Sequence, residues 1–161
     1  MLNGLINYIP AIKYGNLVDN AELNPATVQS ATVNLTAAQL ISMGNTPVTL
    51  ITTTAAGTAI VPTSMVFEFN PTSTTFTTTG AIALVFGYNS VTSTGNIMSA
   101  TILAKVITSA SAGYIAMEQT AVTSGFVVVP NTGLSLGTDG LSFAAGTGTA
   151  KVFINYYIVT I

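Results

Sequence analysis

The sequence predicts an all-β protein: a jelly-roll-like β-sandwich of about eight strands, with one or two short helices and an extended N-terminal arm. Short runs rich in β-branched and aromatic residues recur along most of the chain, separated by Gly, Pro and Asn, as in sandwiches and barrels. No segment is long enough to be the crossover helix that a parallel α/β sheet requires. The length of 161 residues suits one domain with a sizeable core.

We predict that residues 1–30 form an extended N-terminal arm and that residues 31–161 form the sandwich domain. The arm contains two prolines and shows no clear period, apart from one short strand expected near Leu5–Ile12. It is nevertheless too apolar for a solvated tail, so we expect it to lie on its own domain or on a neighbour. The expected partner-binding anchors are Leu5, Ile6, Tyr8, Ile9 and Ile12.

The domain begins with a strand at "ATVNL", followed by a short helix. In "TAAQLISMG", Thr36 is a suitable N-cap, the run from Ala37 to Met43 favours a helix, and Gly44 stands at the C′ position. The next two runs, 47–53 and 58–69, flank the turn "AAGT" and predict a β-hairpin. Pro62 in the second run implies an edge or a bulge. One face of that run is predicted to carry Ala59, Val61, Met65, Phe67 and Phe69.

The middle of the chain combines a polar connection with two further elements. Residues 71–80 are rich in threonine and lead into "AIALVFGY", a strand with large side chains on one face and small ones on the other. The small face would allow another layer to approach closely. Residues 96–107 are compatible with a strand, but the helical spacing of Ile97, Thr101, Ala104 and Ile107 favours a short helix.

Strands are then predicted within 113–122, 126–130 and 133–143, with a turn at Asp139–Gly140, before the closing strand "TAKVFINYYIVTI". Alternation gives the closing strand two apolar faces. We expect a second sheet to cover the first face, and a neighbouring subunit or the arm to cover the rest. The first face carries Val152, Ile154, Tyr156 and Ile158, and the second Phe153, Tyr157, Val159 and Ile161.

Composition excludes several classes of function. Only 5% of residues are charged, five acids against three lysines, and arginine is absent, so a phosphate-binding surface for nucleic acid is not expected. Histidine and cysteine are also absent, which removes serine–histidine catalysis, thiol chemistry and the usual transition-metal ligands. No apolar run is long enough for a membrane helix, and the N-terminus lacks the basic region of a secretory signal.

The few motifs that carry chemistry have simpler structural explanations. Glu68 and Glu118 could form a glycosidase pair, but exposed strand carboxylates are the favoured interpretation. "GTDG" at 137–140 has one acid where a calcium loop needs several, and "GTGT" at 146–149 lacks the lysine of a phosphate loop. The threonine runs at 52–54 and 77–79 lack the fixed repeat of an ice- or sugar-binding array. We therefore predict no catalytic, metal-binding or cofactor-binding residue and no cofactor.

Two stretches, "VNLTAAQLISMGNTPVTLI" and "GTDGLSFAAGTGTAKVFINYYIVTI", resemble small structural proteins of tailed-bacteriophage virions. The likeness is to head decoration (cement) proteins and related jelly-roll modules, and it spans about residues 31–161 in layout. It implies a sandwich that assembles, commonly as a trimer, on the outside of a capsid and clamps neighbouring coat subunits. It carries over no catalytic residue. Tail, collar and fibre modules share this architecture.

The functional expectation is a non-enzymatic virion protein that stabilises a phage head from outside. Its expected partners are further copies of itself, as a homotrimer, and the major capsid protein or another virion protein, with neither nucleic acid nor membrane. It would be made in the host cytoplasm and reside on the capsid surface. The alternative is a receptor- or carbohydrate-binding module of a tail fibre or baseplate, with its site in loops such as 71–79 or 89–96. Apart from the resemblance, the low charge, the apolar arm and the two-faced closing strand predict that the chain needs partners, because large exposed apolar patches are rare on monomers.

Overall fold

The computed structural model describes residues 27–52, 55–78, 80, 82–88, 96–100, 106–117, 128–139 and 141–161. The arm up to residue 26, including its predicted anchors, lies outside these ranges. The described residues form eight strands and one short helix. The elements are β1 (Gln29–Leu35), α1 (Ala37–Ser42), β2 (Val48–Ile51), β3 (Thr58–Pro71), β4 (Leu84–Tyr88), β5 (Asn96–Ala100), β6 (Gly113–Met117), β7 (Leu134–Thr138) and β8 (Gly148–Thr160).

The strands make two four-stranded sheets. The first sheet has the order β1-β8-β3-β6 and the second β2-β7-β4-β5. Every neighbouring pair is antiparallel. This order, with most connections passing from one sheet to the other, is that of an eight-stranded jelly roll, so the predicted all-β sandwich is confirmed.

The predicted β2–β3 hairpin is wrong. β2 pairs with β7, whereas β3 pairs with β6 and β8 in the other sheet. The "AAGT" turn instead carries the chain from one sheet to the other. A turn signal between two strands does not fix their partners, because pairing depends on which faces the rest of the chain can bury.

The short helix α1 confirms the prediction from "TAAQLISMG". The main-chain N–H of Gln39 donates to the Thr36 hydroxyl (3.3 Å), and the Gln39 side chain accepts from the Thr36 N–H (2.9 Å), which is a complete capping box. Leu40, on the inner side of the helix, is fully buried in the core. Gly44 follows the C-cap, and a Cβ there would lie 2.3 Å from the carbonyl oxygen of Leu141, so close approach of the two backbones requires glycine.

The short helix predicted for residues 96–107 is wrong for residues 96–100. Asn96–Ala100 form β5, which pairs with β4 at the edge of the second sheet. Only residues 106–107 show a helical turn, and 101–105 lie outside the described ranges. Main-chain pairing with β4 outweighs the weak helical spacing, as tertiary context commonly does for short β-branched segments.

The core lies between the two sheets, and one bulge sets its pattern in β3. The register of β3 against β8 shifts between Pro62 and Ser64, which confirms the expected irregularity at Pro62. The extra residue reverses the alternation, so Ile60 packs into the core and Val61 does not share the face of Met65 as predicted. The largest fully buried side chains are Phe67, Phe69, Phe76, Phe86 and Phe143.

The closing strand β8 has the predicted first face. Val152, Ile154 and Tyr156 are buried in the core between the sheets, and Ile158 packs against it. β8 occupies a central position in the first sheet, with β1 on one side and β3 on the other. The terminal strand is therefore not a free edge.

Candidate partner-binding surface

The outer faces of the two sheets differ in their exposure. On the second sheet, the outward residues of β4 and β7 are small and shielded from solvent; Val85 is 2% exposed and Ser135 is 6% exposed. On the first sheet, the outward residues are largely exposed, including Tyr114 at 69% and Phe153 at 39%. The outer face of the first sheet is therefore the candidate surface for a partner.

Register aligns the outward residues of the first sheet in ranks that run across its strands. The first rank is the most chemically varied. Lys151 of β8 lies directly opposite Glu68 of β3, with Asn34 of β1 beyond Lys151 and Tyr114 of β6 beyond Glu68. The order across the four strands is thus amide, ammonium, carboxylate, phenol.

The second rank is apolar at its centre. Phe153 of β8 lies opposite Val66 of β3, flanked by Thr32 of β1 and Ala116 of β6. Phe153 belongs to the second apolar face predicted for the closing strand, and neither sheet covers it. An aromatic ring at the centre of an open sheet face is a typical anchor for a protein contact.

The third rank is a hydrogen-bonded row of small polar side chains. The Ser30 hydroxyl donates to Oδ1 of Asn155 (2.7 Å), and Nδ2 of Asn155 donates to the Ser64 hydroxyl (3.0 Å). These bonds hold Asn155 between its two neighbours. The polar row bounds the apolar centre on one side, as the charged rank does on the other.

The charges on this face stand out in a chain with so few. The described ranges include three charged side chains, Glu68, Asp139 and Lys151. Two of them are cross-strand neighbours on this one face. The Glu68 carboxylate also accepts a hydrogen bond from Nδ2 of Asn70 (3.0 Å), which helps to orient it.

The described residues do not test the pairing of Glu68 with Glu118. Glu68 lies half-buried on the outer face of the first sheet, and Glu118 is outside the described residues. Asp139 is exposed directly after β7. Within the described ranges, no group of three or more acidic, histidine or cysteine side chains could hold a metal ion. In the same ranges, no helix has the length and hydropathy needed to cross a bilayer.

The threonine-rich connection after β3 is a fixed structure as far as residue 78. Thr74 and Thr147 exchange hydrogen bonds, with the Thr147 N–H donating to the Thr74 carbonyl (2.8 Å), and Thr77 and Ala144 form a two-way bridge. Phe76 is buried, with edge-to-face ring contacts to Phe69 (centroids 5.8 Å apart) and Phe143 (6.1 Å). The exposed side chains at 72–75 are therefore hydroxyls on a pinned loop.

Sequence reasoning missed Tyr114, Lys151 and Val66 as parts of one surface. The alternation in β8 did place Phe153 on an outward face, but the pairing of β8 with β3 is not visible in the sequence. The predicted arm anchors Leu5, Ile6, Tyr8, Ile9 and Ile12 lie outside the described residues, and their role stays a prediction. Of the loop 89–96 considered for a receptor site, residues 89–95 are also outside them.

Comparison with known proteins shows a distant structural likeness. No family model matches the sequence, and no curated protein matches it. A solved structure described as "Cyanophage Pam1 capsid asymmetric unit" superposes with a TM-score of 0.49 at 14% identity, covering 88% of this chain and 98% of that one. Similarity at this level does not by itself establish a common function.

Proposed function

We propose that this protein is a non-enzymatic structural component of a phage virion, a decoration or cement protein that binds the outside of the head. The observation that carries the proposal is the jelly-roll strand order, β1-β8-β3-β6 and β2-β7-β4-β5, with one sheet face left open. Jelly rolls are frequent in capsid proteins but also occur in lectins and cupins. Because fold alone does not assign function, the proposal also depends on the open sheet face and on the composition.

The composition favours a role in assembly. Only 5% of the residues are charged, the rings of Tyr114 and Phe153 are exposed, and the arm is apolar. Apolar surface of this kind is rare on monomers and typical of sites of protein contact. Interfaces are enriched in aromatic residues and depleted of charge at their centres. We propose a homotrimer as the assembled form and the major capsid protein, or another virion protein, as the partner.

The arm is proposed as the attachment element. Its apolar anchors Leu5, Ile6, Tyr8, Ile9 and Ile12 would enter a groove on the coat subunits, and the sandwich would act as the body that reinforces the head. Burial of five such side chains represents on the order of 10 kcal/mol before the cost of ordering the arm. Removing the arm should leave the sandwich folded.

The experiment is to locate the protein on particles with an antibody raised against the purified chain. Phage particles from the source culture are imaged with gold-labelled antibody, and the expected result is label distributed over the head surface. Heads stripped of the protein are then incubated with the full chain or with a chain lacking residues 1–20. The full chain should rebind, and the truncated chain should fold but not bind.

A matched control changes polar arm residues instead, with Asn16→Ala and Asn20→Ala in one variant, which should bind as the full chain does. Label confined to tails or absent from particles would overturn the proposed location. A truncated chain that decorates heads normally would overturn the role of the arm and leave attachment to the sandwich.

The tail-fibre or baseplate alternative has less structural support in the loop that is described. A sugar-binding loop commonly offers an aromatic ring for stacking, but Phe76 of the 72–78 segment is buried in the core. The main chain of that segment is hydrogen-bonded to the 144–147 segment, and the Thr77 hydroxyl donates to the Ala144 carbonyl (3.4 Å). Binding of the purified chain to bacterial surface glycans on an array would reverse this preference.

A further inference from the structure

We propose that the outer face of the first sheet is a self-complementary docking surface for a second copy of this chain, related by a two-fold axis parallel to the strands. This contact is distinct from any three-fold seam of the proposed trimer and from attachment through the arm. It rests on the self-association in the proposed function, and it joins copies in even numbers.

The charged rank is what makes the face self-complementary. Lys151 of β8 and Glu68 of β3 stand side by side in register. A two-fold axis that lies above the sheet, midway between β8 and β3, places β8 of one copy over β3 of the other. Each Lys151 ammonium then lies over the Glu68 carboxylate of the other copy, and two ion pairs form from one rotation.

The same rotation pairs the remaining positions without conflict. Phe153 of each copy lies over Val66 of the other, which buries the apolar centre of the face. β1 lies over β6, so the Asn34 side-chain amide meets the Tyr114 phenol, a donor and acceptor on each side. Tyr114 is exposed at 69%, an unusual position for a large aromatic residue.

The geometry agrees with how sheets stack. Sheets that pack face to face keep their strands within about 30° of each other, and an axis parallel to the strands preserves strand direction. Each position on a sheet face occupies roughly 4.8 by 6.8 Å, so the three ranks cover about 350 Å² per copy before side-chain relief is counted. That size corresponds to a weak contact that depends on protein concentration.

The charge pattern of the face suits a second copy better than an unrelated protein. The face carries one positive and one negative charge, so it has no net charge with which to select a strongly charged partner. The order of groups across the four strands is amide, ammonium, carboxylate, phenol. When a second copy is turned over onto the face, its carboxylate meets the ammonium and its phenol meets the amide. An unrelated partner would need four complementary groups at the matching spacing, whereas a second copy supplies them through the two-fold rotation.

The test is a charge exchange read by the native mass of the full chain. Sedimentation equilibrium over a concentration series should show reversible association of the wild type. Lys151→Glu makes the face doubly acidic and Glu68→Lys makes it doubly basic, and each variant alone should associate at least about tenfold more weakly. An equimolar mixture of the two variants should recover association, because each doubly charged face meets its opposite.

The mixture separates contact between copies from effects within one copy. Like charges placed side by side could also lower stability, so the melting temperature of each variant is measured; mixing cannot repair that defect, whereas it restores the contact. Asp139→Lys, which changes a charge after β7 in the other sheet, should leave association unchanged. The double variant Lys151→Glu, Glu68→Lys should associate as the wild type does.

Three results would overturn the inference. The wild type could remain a monomer at every concentration, or its association could be unaffected by the charge exchanges. Alternatively, it could bind stripped heads through this face, as shown by loss of binding in Lys151→Glu, without any self-association. The last result would assign the face to the coat protein. A wild type that stays monomeric would also refute the proposed homotrimer. The head location and the role of the arm are scored separately, by antibody labelling and by truncation, so they stand or fall on those results.

Discussion

The hydroxyl of Tyr88, in β4, donates a hydrogen bond to the main-chain carbonyl oxygen of Ile60, in β3, and so joins the two sheets across the core. Tyr88 is buried, and burial raises its pKa to about 12, partly offset by a main-chain hydrogen bond with Val129. The fold thus prefers the neutral phenol, because the phenolate would lose its hydration and could not donate to Ile60.

This raised pKa predicts a loss of stability at high pH. The folded pKa lies above the unfolded value of 10.0, so the contribution of Tyr88 is complete below pH 10 and falls as the pH rises toward 12. The expected loss is about 1.4 kcal/mol by pH 11. Tyr88→Phe should cost about 1 kcal/mol at neutral pH and lack this loss, so the two unfolding free energies should converge near pH 11.

Denaturant unfolding of both proteins from about pH 8 to about pH 11.5, roughly 2 units below to 1.5 units above the ordinary tyrosine pKa, measures the effect. Tyr114→Phe, which removes an exposed hydroxyl, is the matched control and should stay within about 0.5 kcal/mol of the wild type at neutral pH. A constant difference between wild type and Tyr88→Phe across the range would contradict the assignment.

Gly146→Ala should destabilise the fold by about 2–4 kcal/mol. Gly146 has φ of +149°, a conformation that L side chains rarely adopt, and an added Cβ would lie 2.5 Å from the Phe76 ring. Gly80→Ala is the control, since its Cβ would make an ordinary 3.5 Å contact with Leu141, and it should change stability by less than about 0.5 kcal/mol. Thermal unfolding of both variants distinguishes them; equal effects would refute the packing argument.

Asn131→Ala should cost about 1–2 kcal/mol of unfolding free energy. Asn131 has φ of +53°, and its Oδ1 accepts from the Gly57 N–H (2.9 Å) while its own N–H donates to the Thr58 carbonyl (2.9 Å). Asn131→Asp keeps both the acceptor and the tolerance for positive φ, so it should remain near wild type. Urea unfolding of the two variants tests this, and a similar loss in both would mean that the side-chain oxygen contributes little.

Thr36→Ala should cost about 1 kcal/mol by removing the N-cap acceptor of α1, whereas Thr36→Ser should retain it. Because Leu40 anchors α1 in the core, loss of the cap should lower the stability of the whole domain and not of the helix alone. Guanidinium unfolding followed by circular dichroism measures the stability of both variants. The expectation fails if serine is as destabilising as alanine.

The sequence was most informative where a local pattern is strong. The period-2 alternation around Val152 and Ile154, the N-cap at Thr36 and the proline at 62 each act over a few residues, and the structure has the strand, the helix and the bulge there. Local interactions decide these features, so neighbouring residues are enough to predict them.

Features that depend on partners distant in the chain were not predictable. The hairpin expected around "AAGT" was wrong because β2 and β3 find partners in different sheets. Residues 96–100 form a strand because β4 is available to pair with them. The outer face was invisible for the same reason: Lys151 and Glu68 become neighbours only through the β3–β8 register.

The position of β1 has a mechanical consequence for a protein tethered through its N-terminus. β1 begins at Gln29, within the last two residues of the predicted arm, and lies against β8 through seven register pairs, from Gln29 opposite Tyr156 to Leu35 opposite Ala150. A pull at Gln29 along the strand axis would load these pairs in shear, so that they share the force. A pull across the strand would instead peel them apart one after another. The sandwich should therefore withstand the greatest tension when its tether runs in line with β1.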